Sequence, residues 1–157
     1  MSTFDPAAFE AMVIEEANET KTTPVPEGDY PGLIQSAKVS MIAIKNGERA
    51  GTEVPILNIL WDLTDEDGKL KEELNRDKIM VRQDIWLDVN EHGGLAFGPN
   101  QNVGLGRLRE AVGMNKPGKP FSFQMLEGAG PCLVHVKLQL REDTGDYSNR
   151  VPKISKM

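Results

Sequence analysis

At 157 residues the chain is the size of one domain and long enough to bury a core without metals; its single cysteine, Cys132, excludes an internal disulfide and a thiolate zinc site. A net charge of −6 and a pI near 5.0 count against an indiscriminate nucleic-acid binder. Met1-Ser2-Thr3-Phe4-Asp5 lacks the basic and apolar regions of a signal peptide and no apolar run approaches membrane-spanning length, so a cytoplasmic protein without a membrane partner is expected.

The acidity is unevenly placed. Residues 1–27 carry Asp5, Glu10, Glu15, Glu16, Glu19 and Glu27 against Lys21 alone, whereas residues 28–157 hold 17 basic and 18 acidic groups. Residues 107–157 are basic, with nine cations against five anions. The chain therefore divides into an acidic arm and linker, 1–27, and a nearly neutral domain, 28–157.

In the arm, Asp5 is an N-cap and Pro6 a first helical residue. Phe9, Met12, Val13 and Ala17 are spaced for one face of a short helix, which must dock or fray. Asn18 to Glu27, with Pro24 and Pro26, reads as a linker. A first strand follows over Gly28 to Met41, with Gly32 marking a bulge. Lys45-Asn46-Gly47-Glu48-Arg49-Ala50-Gly51 is turn chemistry. The second strand, Thr52 to Thr64, points Leu57, Ile59, Trp61 and Leu63 at the core, which makes Trp61 structural.

Asp65-Glu66-Asp67-Gly68 fails as a calcium loop because Leu63 stands where the loop needs Asp. Leu70 and Leu74 then anchor a helical turn. The third strand, Lys78 to Val89, has two unlike faces. Ile79, Val81, Ile85, Leu87 and Val89 share the core side with Gln83 as a polar interruption. Lys78, Met80, Arg82, Asp84, Trp86 and Asp88 share the other, which either holds an unpaired nucleic-acid strand or is an ordinary wet face carrying one Trp.

A helix from about Gln101 to Val112 buries Leu105, Leu108, Ala111 and Val112 and ends at Gly113. Gly113 to Lys119 fails as a phosphate loop, since Pro120 replaces Ser or Thr and the segment follows a helix. Phe121, Phe123, Met125 and Leu126 are expected to plug one end of the core. In the fourth strand, Pro131 to Arg141, Cys132, Val134, Val136, Leu138 and Leu140 face inward. A short fifth strand runs from Tyr147 to Ile154. Three strands, a helix and two strands give a mainly β fold, a five-stranded OB-fold-like Greek-key barrel with one helix between its third and fourth strands. No βαβ crossover recurs, which argues against a doubly wound enzyme.

Phe4-Asp5-Pro6, Val25-Pro26-Glu27-Gly28-Asp29-Tyr30, Val81-Arg82-Gln83-Asp84-Ile85-Trp86-Leu87, Gly106-Arg107-Leu108-Arg109-Glu110-Ala111 and Pro117-Gly118-Lys119-Pro120-Phe121 resemble a group of tailed-phage proteins regarded as single-stranded DNA-binding proteins of OB type. The resemblance spans most of the chain. It implies a replication or recombination protein that coats exposed strands in the infected cell. Functional counterparts in bacteria end in an acidic, partner-recruiting tail, whereas this chain ends Lys153-Ile154-Ser155-Lys156-Met157; the acidic N-terminal arm is then the candidate for recruiting replication or recombination proteins.

The leading expectation is sequence-non-specific binding of single-stranded DNA by Lys78, Arg82 and Trp86. Lys45 and Arg49 would close one side of the groove and Arg141, Tyr147, Arg150 and Lys153 the other, with Trp86 and Tyr147 as stacking rings. Asp84 and Asp88 oppose it. An OB-like protein-interaction module without nucleic-acid affinity is the alternative, supported by the acidity and the Met-containing arm. An enzyme is the weakest reading, because neither His92 nor His135 has a recognisable acid pair in the sequence. No cofactor or metal is expected, and homo-oligomerisation is left open.

Overall fold

The computed structural model describes residues 3–157, so the first two positions of the arm lie outside it. Five strands form one antiparallel sheet: β1 (Gly28–Ala43), β2 (Glu53–Leu63), β3 (Ile79–Trp86), β4 (Cys132–Leu140) and β5 (Tyr147–Lys156), in the order β3-β2-β1-β4-β5. The helices are short: α1 (Pro6–Ala11), α2 (Lys69–Leu74) and α3 (Val103–Ala111), with a 3-10 turn at Phe123–Leu126.

The long first strand organises the sheet because it pairs with two neighbours in succession. It pairs with β4 from Gly28 to Gly32, then with β2 from Gly32 to Ala43. Gly32 belongs to both ladders, and a Cβ there would lie 2.9 Å from Val134 Cγ2 and 3.3 Å from Leu63 Cδ2. The bulge expected at Gly32 falls instead between Ile34 and Ser36. Gly32 therefore serves a close approach of strands rather than an extra residue.

Alternation placed most of the core correctly. Leu57, Ile59, Trp61 and Leu63 of β2 and Ile79, Val81 and Ile85 of β3 are buried, together with Ile34, Cys132, Val134 and Val136. Trp61 is 0% exposed, and its indole Nε1 donates to Gln83 Oε1 at 2.9 Å. That bond explains the one polar residue on the core side of β3, since a buried indole N–H without a partner is costly. Leu105, Leu108 and Ala111 of α3 are buried as their spacing predicts, and Gly113, at φ 75°, ends the helix. Leu70 and Leu74 of α2 pack against the core.

The third strand is shorter than its pattern. Its ladder stops at Trp86 because the next partner on β2 is Pro55, which accepts from Leu87 N (3.1 Å) but has no N–H to return. Leu87 stays buried, whereas Val89, expected on the core side, is exposed and bridges to Leu95. On β4 the expected inward row ends at Val136, and Leu138 and Leu140 run out past the core and are exposed. Met125 is also exposed, leaving Phe121, Phe123 and Leu126 as the residues that pack there.

The N-terminal helix has the expected cap, with Ala7 N donating to Asp5 Oδ1 at 3.1 Å, but ends at Ala11. Met12, Val13 and Ala17 thus fall outside it, and none of its residues is buried. A six-residue helix whose apolar contact is Phe4 against Phe9 has no surface to extend along.

The segment read as a linker is, at its C-terminal end, part of the fold. Val25 is 0% exposed in the core, and its backbone N–H and C=O are both held by the Asn149 side chain at 2.8 Å. Glu27 accepts from Leu138 N, and Tyr30 donates its hydroxyl to Pro26 O.

Hydrogen bonding leaves the sheet open, so the expected barrel is not closed by a ladder. Successive antiparallel pairings make β3 and β5 run in the same direction, and these two end strands approach each other without pairing. α3 lies against both of them.

Candidate nucleic-acid interface

The outer face of β1, β2 and β3 is built in cross-strand rows. Register sets Ser40, Ile56 and Trp86 side by side, then Lys38, Asn58 and Asp84, then Leu60 and Arg82. Opposed residues in an antiparallel pair share a face, with Cβ atoms about 4.5–5.5 Å apart. Trp86 is 54% exposed, while its neighbour Ile56 is only 4% exposed although it lies outside the main core. The indole therefore has an apolar backing and an open side.

Arg82 is held along this face. Its Nη2 donates to Asn58 Oδ1 (2.9 Å) and its Nε to Asp84 Oδ1 (3.0 Å), and Asn58 Nδ2 donates in turn to Ser40 Oγ (2.6 Å). The guanidinium is thereby oriented, and part of its charge is answered by Asp84. Lys38, on the same face, pairs with Glu127 at 3.4 Å. Lys78 is exposed just before β3 begins. Lys45 and Arg49 are exposed in the β1–β2 loop, which is pinned by Gly51 N to Ile44 O (2.8 Å) and Ile44 N to Thr52 O (2.9 Å). Trp86 lies toward that loop, three positions along β2 from Glu53 through its partner Ile56. Arg82 and Trp86 thus share the outer face of β3, while Lys45 and Arg49 lie in the loop beyond its Trp86 end and Lys78 precedes its opposite end.

The remaining expected residues separate into two groups. Arg150 pairs in register with Lys137 and Lys153 with His135, which puts both on the outer face of β4 and β5. Tyr147 pairs with Leu140 and shares the opposite face with Leu138. Arg141, in the β4–β5 turn, makes an ion pair with Asp143 at 3.4 Å. Arg141 and Tyr147 line a cleft of about 370 Å³ with Lys21 and Arg76. Arg76, two residues before Lys78, also donates to Thr23 O at 3.1 Å and was not singled out by sequence. The cleft is already bordered by residues 20–24: Lys21 pairs with Asp146 at 2.8 Å, and Asp146 holds the Lys21 ammonium above its ordinary range.

Asp88, read as a wet-face residue, has a structural role. Its carboxylate accepts from Asn102 N, while the Asn102 side chain accepts from Asp88 N and donates to Asp88 O and Ala96 O, all at 2.8–2.9 Å. Asn102 is buried at the start of α3 in the left-handed region. The four bonds fix α3 against the end of β3, and no local sequence signal announced them.

His135 also has the acid partner that its sequence neighbourhood lacked. Its Nδ1 is 2.6 Å from Asp29 Oδ1 and its Nε2 2.8 Å from Ser155 Oγ. The acid comes from β1 and the hydroxyl from β5, so this row ties three strands across the outer face. Catalytic use would further require donors converging on an oxyanion beside Ser155. His92 is exposed beside Glu91. Among the described residues no group of three or more His, Cys, Asp or Glu is arranged to hold a metal, and no helix is long and apolar enough to cross a membrane.

Comparison with protein-family models, with curated proteins and with solved structures returns no match for this chain.

Proposed function

We propose that this chain binds single-stranded DNA without sequence preference, in phage replication or recombination, through the outer face of β2 and β3. The observation that carries the reading is Trp86: a half-exposed indole backed by Ile56, in line with an oriented Arg82 and next to the cationic Lys45–Arg49 loop. An aromatic platform beside backbone-tracking cations is what unpaired strands require. Asp84 on the same face moderates the affinity. The replication context comes from the sequence resemblance.

The fold proposed with this function is the OB type. Strand order β3-β2-β1-β4-β5, the parallel approach of β3 to β5 and a helix between β3 and β4 all support it.

The test is tryptophan emission during titration with an unstructured single-stranded oligonucleotide at several salt concentrations, with a duplex of equal length as control. Of the two tryptophans, Trp61 is sealed and bonded to Gln83, so quenching reports on Trp86. Saturable quenching that weakens with salt and is absent for duplex supports the proposal. A flat titration at low salt rejects it and favours a protein-interaction module. The exposed apolar residues of the arm, Phe4, Phe9, Met12, Val13 and Ile14, support that second reading.

A further inference from the structure

The seam where β3 and β5 approach without pairing opens into a cleft of about 590 Å³, closed on its third side by α3. Ile85, Ala111 and Ile154 give it an apolar floor, while Arg107, Lys153 and Lys156 stand around it with Glu110 as the one acidic residue. None of these cations forms an ion pair among the described residues, in contrast to Arg82, Lys38 and Arg141. An apolar floor under several free cations suits a ligand with a flat base and a phosphate, and the volume is that of an ordinary ligand site.

The cleft lies on the other side of β3's free edge from the stacking face. Ile85, which lines it, and Trp86 are successive residues on opposite faces of β3, and the edge of β3 between them has no ladder partner. A strand lying on Trp86 therefore needs only to cross the free edge of β3 to reach it. We infer that the bound strand does so, placing a following nucleotide in the cleft with its base on the apolar floor and its phosphates at Arg107, Lys153 and Lys156. The inference rests on the strand-binding reading and extends the interface to α3, from which sequence reasoning took only core positions.

The experiment compares wild type with the double variant Arg107→Ala/Lys156→Ala, using a short oligonucleotide of about 4 residues and a long one of about 12, within the span of sites seen for such domains. Both side chains are exposed, and thermal melting checks that the variant keeps its fold. Removing two phosphate contacts should weaken the long oligonucleotide on the order of twentyfold at about 0.1 M salt and make its log–log salt slope shallower by about 1.4. Quenching by the short oligonucleotide should be unchanged. Unaltered affinity and slope for the long oligonucleotide would overturn the cleft path while leaving the Trp86 reading intact. Equal losses at both lengths would overturn it too, since the cations would then act only as general charge. If wild type binds neither length, the strand-binding reading itself fails and this inference falls with it.

Discussion

Trp86 and Trp61 lie on adjacent strands and have opposite fates, and parity decided both. Trp61 falls in the row of Leu57, Ile59 and Leu63, and Trp86 in the row of Lys78, Arg82 and Asp84, so alternation alone separated the structural ring from the exposed one. What parity could not supply was each ring's partner, Gln83 for one and Ile56 for the other, because cross-strand register is set by the fold. Replacing Trp86 with Ala should weaken oligonucleotide binding by roughly five- to 150-fold, the loss of a stacked base worth about 1–3 kcal/mol, whereas Trp86→Phe should retain most of it. Anisotropy of a labelled oligonucleotide measures this without relying on the removed fluorophore. Cys132 carries a prediction of a different kind. Burial pushes its thiol up to about 11 from an ordinary 9.0, so the folded protein should resist alkylation at neutral pH and react only as pH approaches that value or on unfolding. The fold favours the neutral thiol. Its contribution is therefore complete below pH 9, where the unfolded thiol is also protonated, and declines as pH rises toward 11. Alkylation rates across that range, with a denatured control, check both statements.

At the scale of elements, the strand pattern, both α2 anchors and the inward row of α3 were legible because each depends on local periodicity. The errors arose where a distant residue overrides it. Pro55 on β2 ended the β3 ladder early, the overhang of the β4–β5 hairpin left Leu138 and Leu140 without a core to enter, and Asp88 was drawn to Asn102. The shared use of Gly32 by two ladders was equally invisible, since a lone glycine in a strand pattern suggests a bulge as readily as a close approach. Gly32→Ala should destabilise the protein by about 1–3 kcal/mol, because the new methyl meets Val134 from one side and Leu63 from the other. A lower urea midpoint with an unchanged slope would bear this out; wild-type stability would mean that β1 and β4 can separate at little cost.

For the molecule as a whole, composition places the acidity in residues 1–27, but where the arm meets the body is set by packing. Val25 was unreadable as a core residue because it stands between two prolines in a polar stretch, where no periodicity operates. Deleting residues 2–19 should leave the urea midpoint unchanged, since Thr3 to Glu19 buries nothing. Val25→Ala should cost about 1–3 kcal/mol through the cavity it opens. Equal stability of the two variants, by denaturation, would show that the anchoring at Val25 adds nothing to the fold. The same anchoring has a spatial consequence. Because Val25 and Lys21 fix the root of the arm beside the β4–β5 hairpin, the stretch from Thr3 to Glu19 can reach at most about 55–60 Å from it even if fully extended. A partner held by Phe4 or Phe9, as the protein-interaction reading requires, would thereby be kept near the sheet at an effective concentration on the order of millimolar, so a weak grip would suffice.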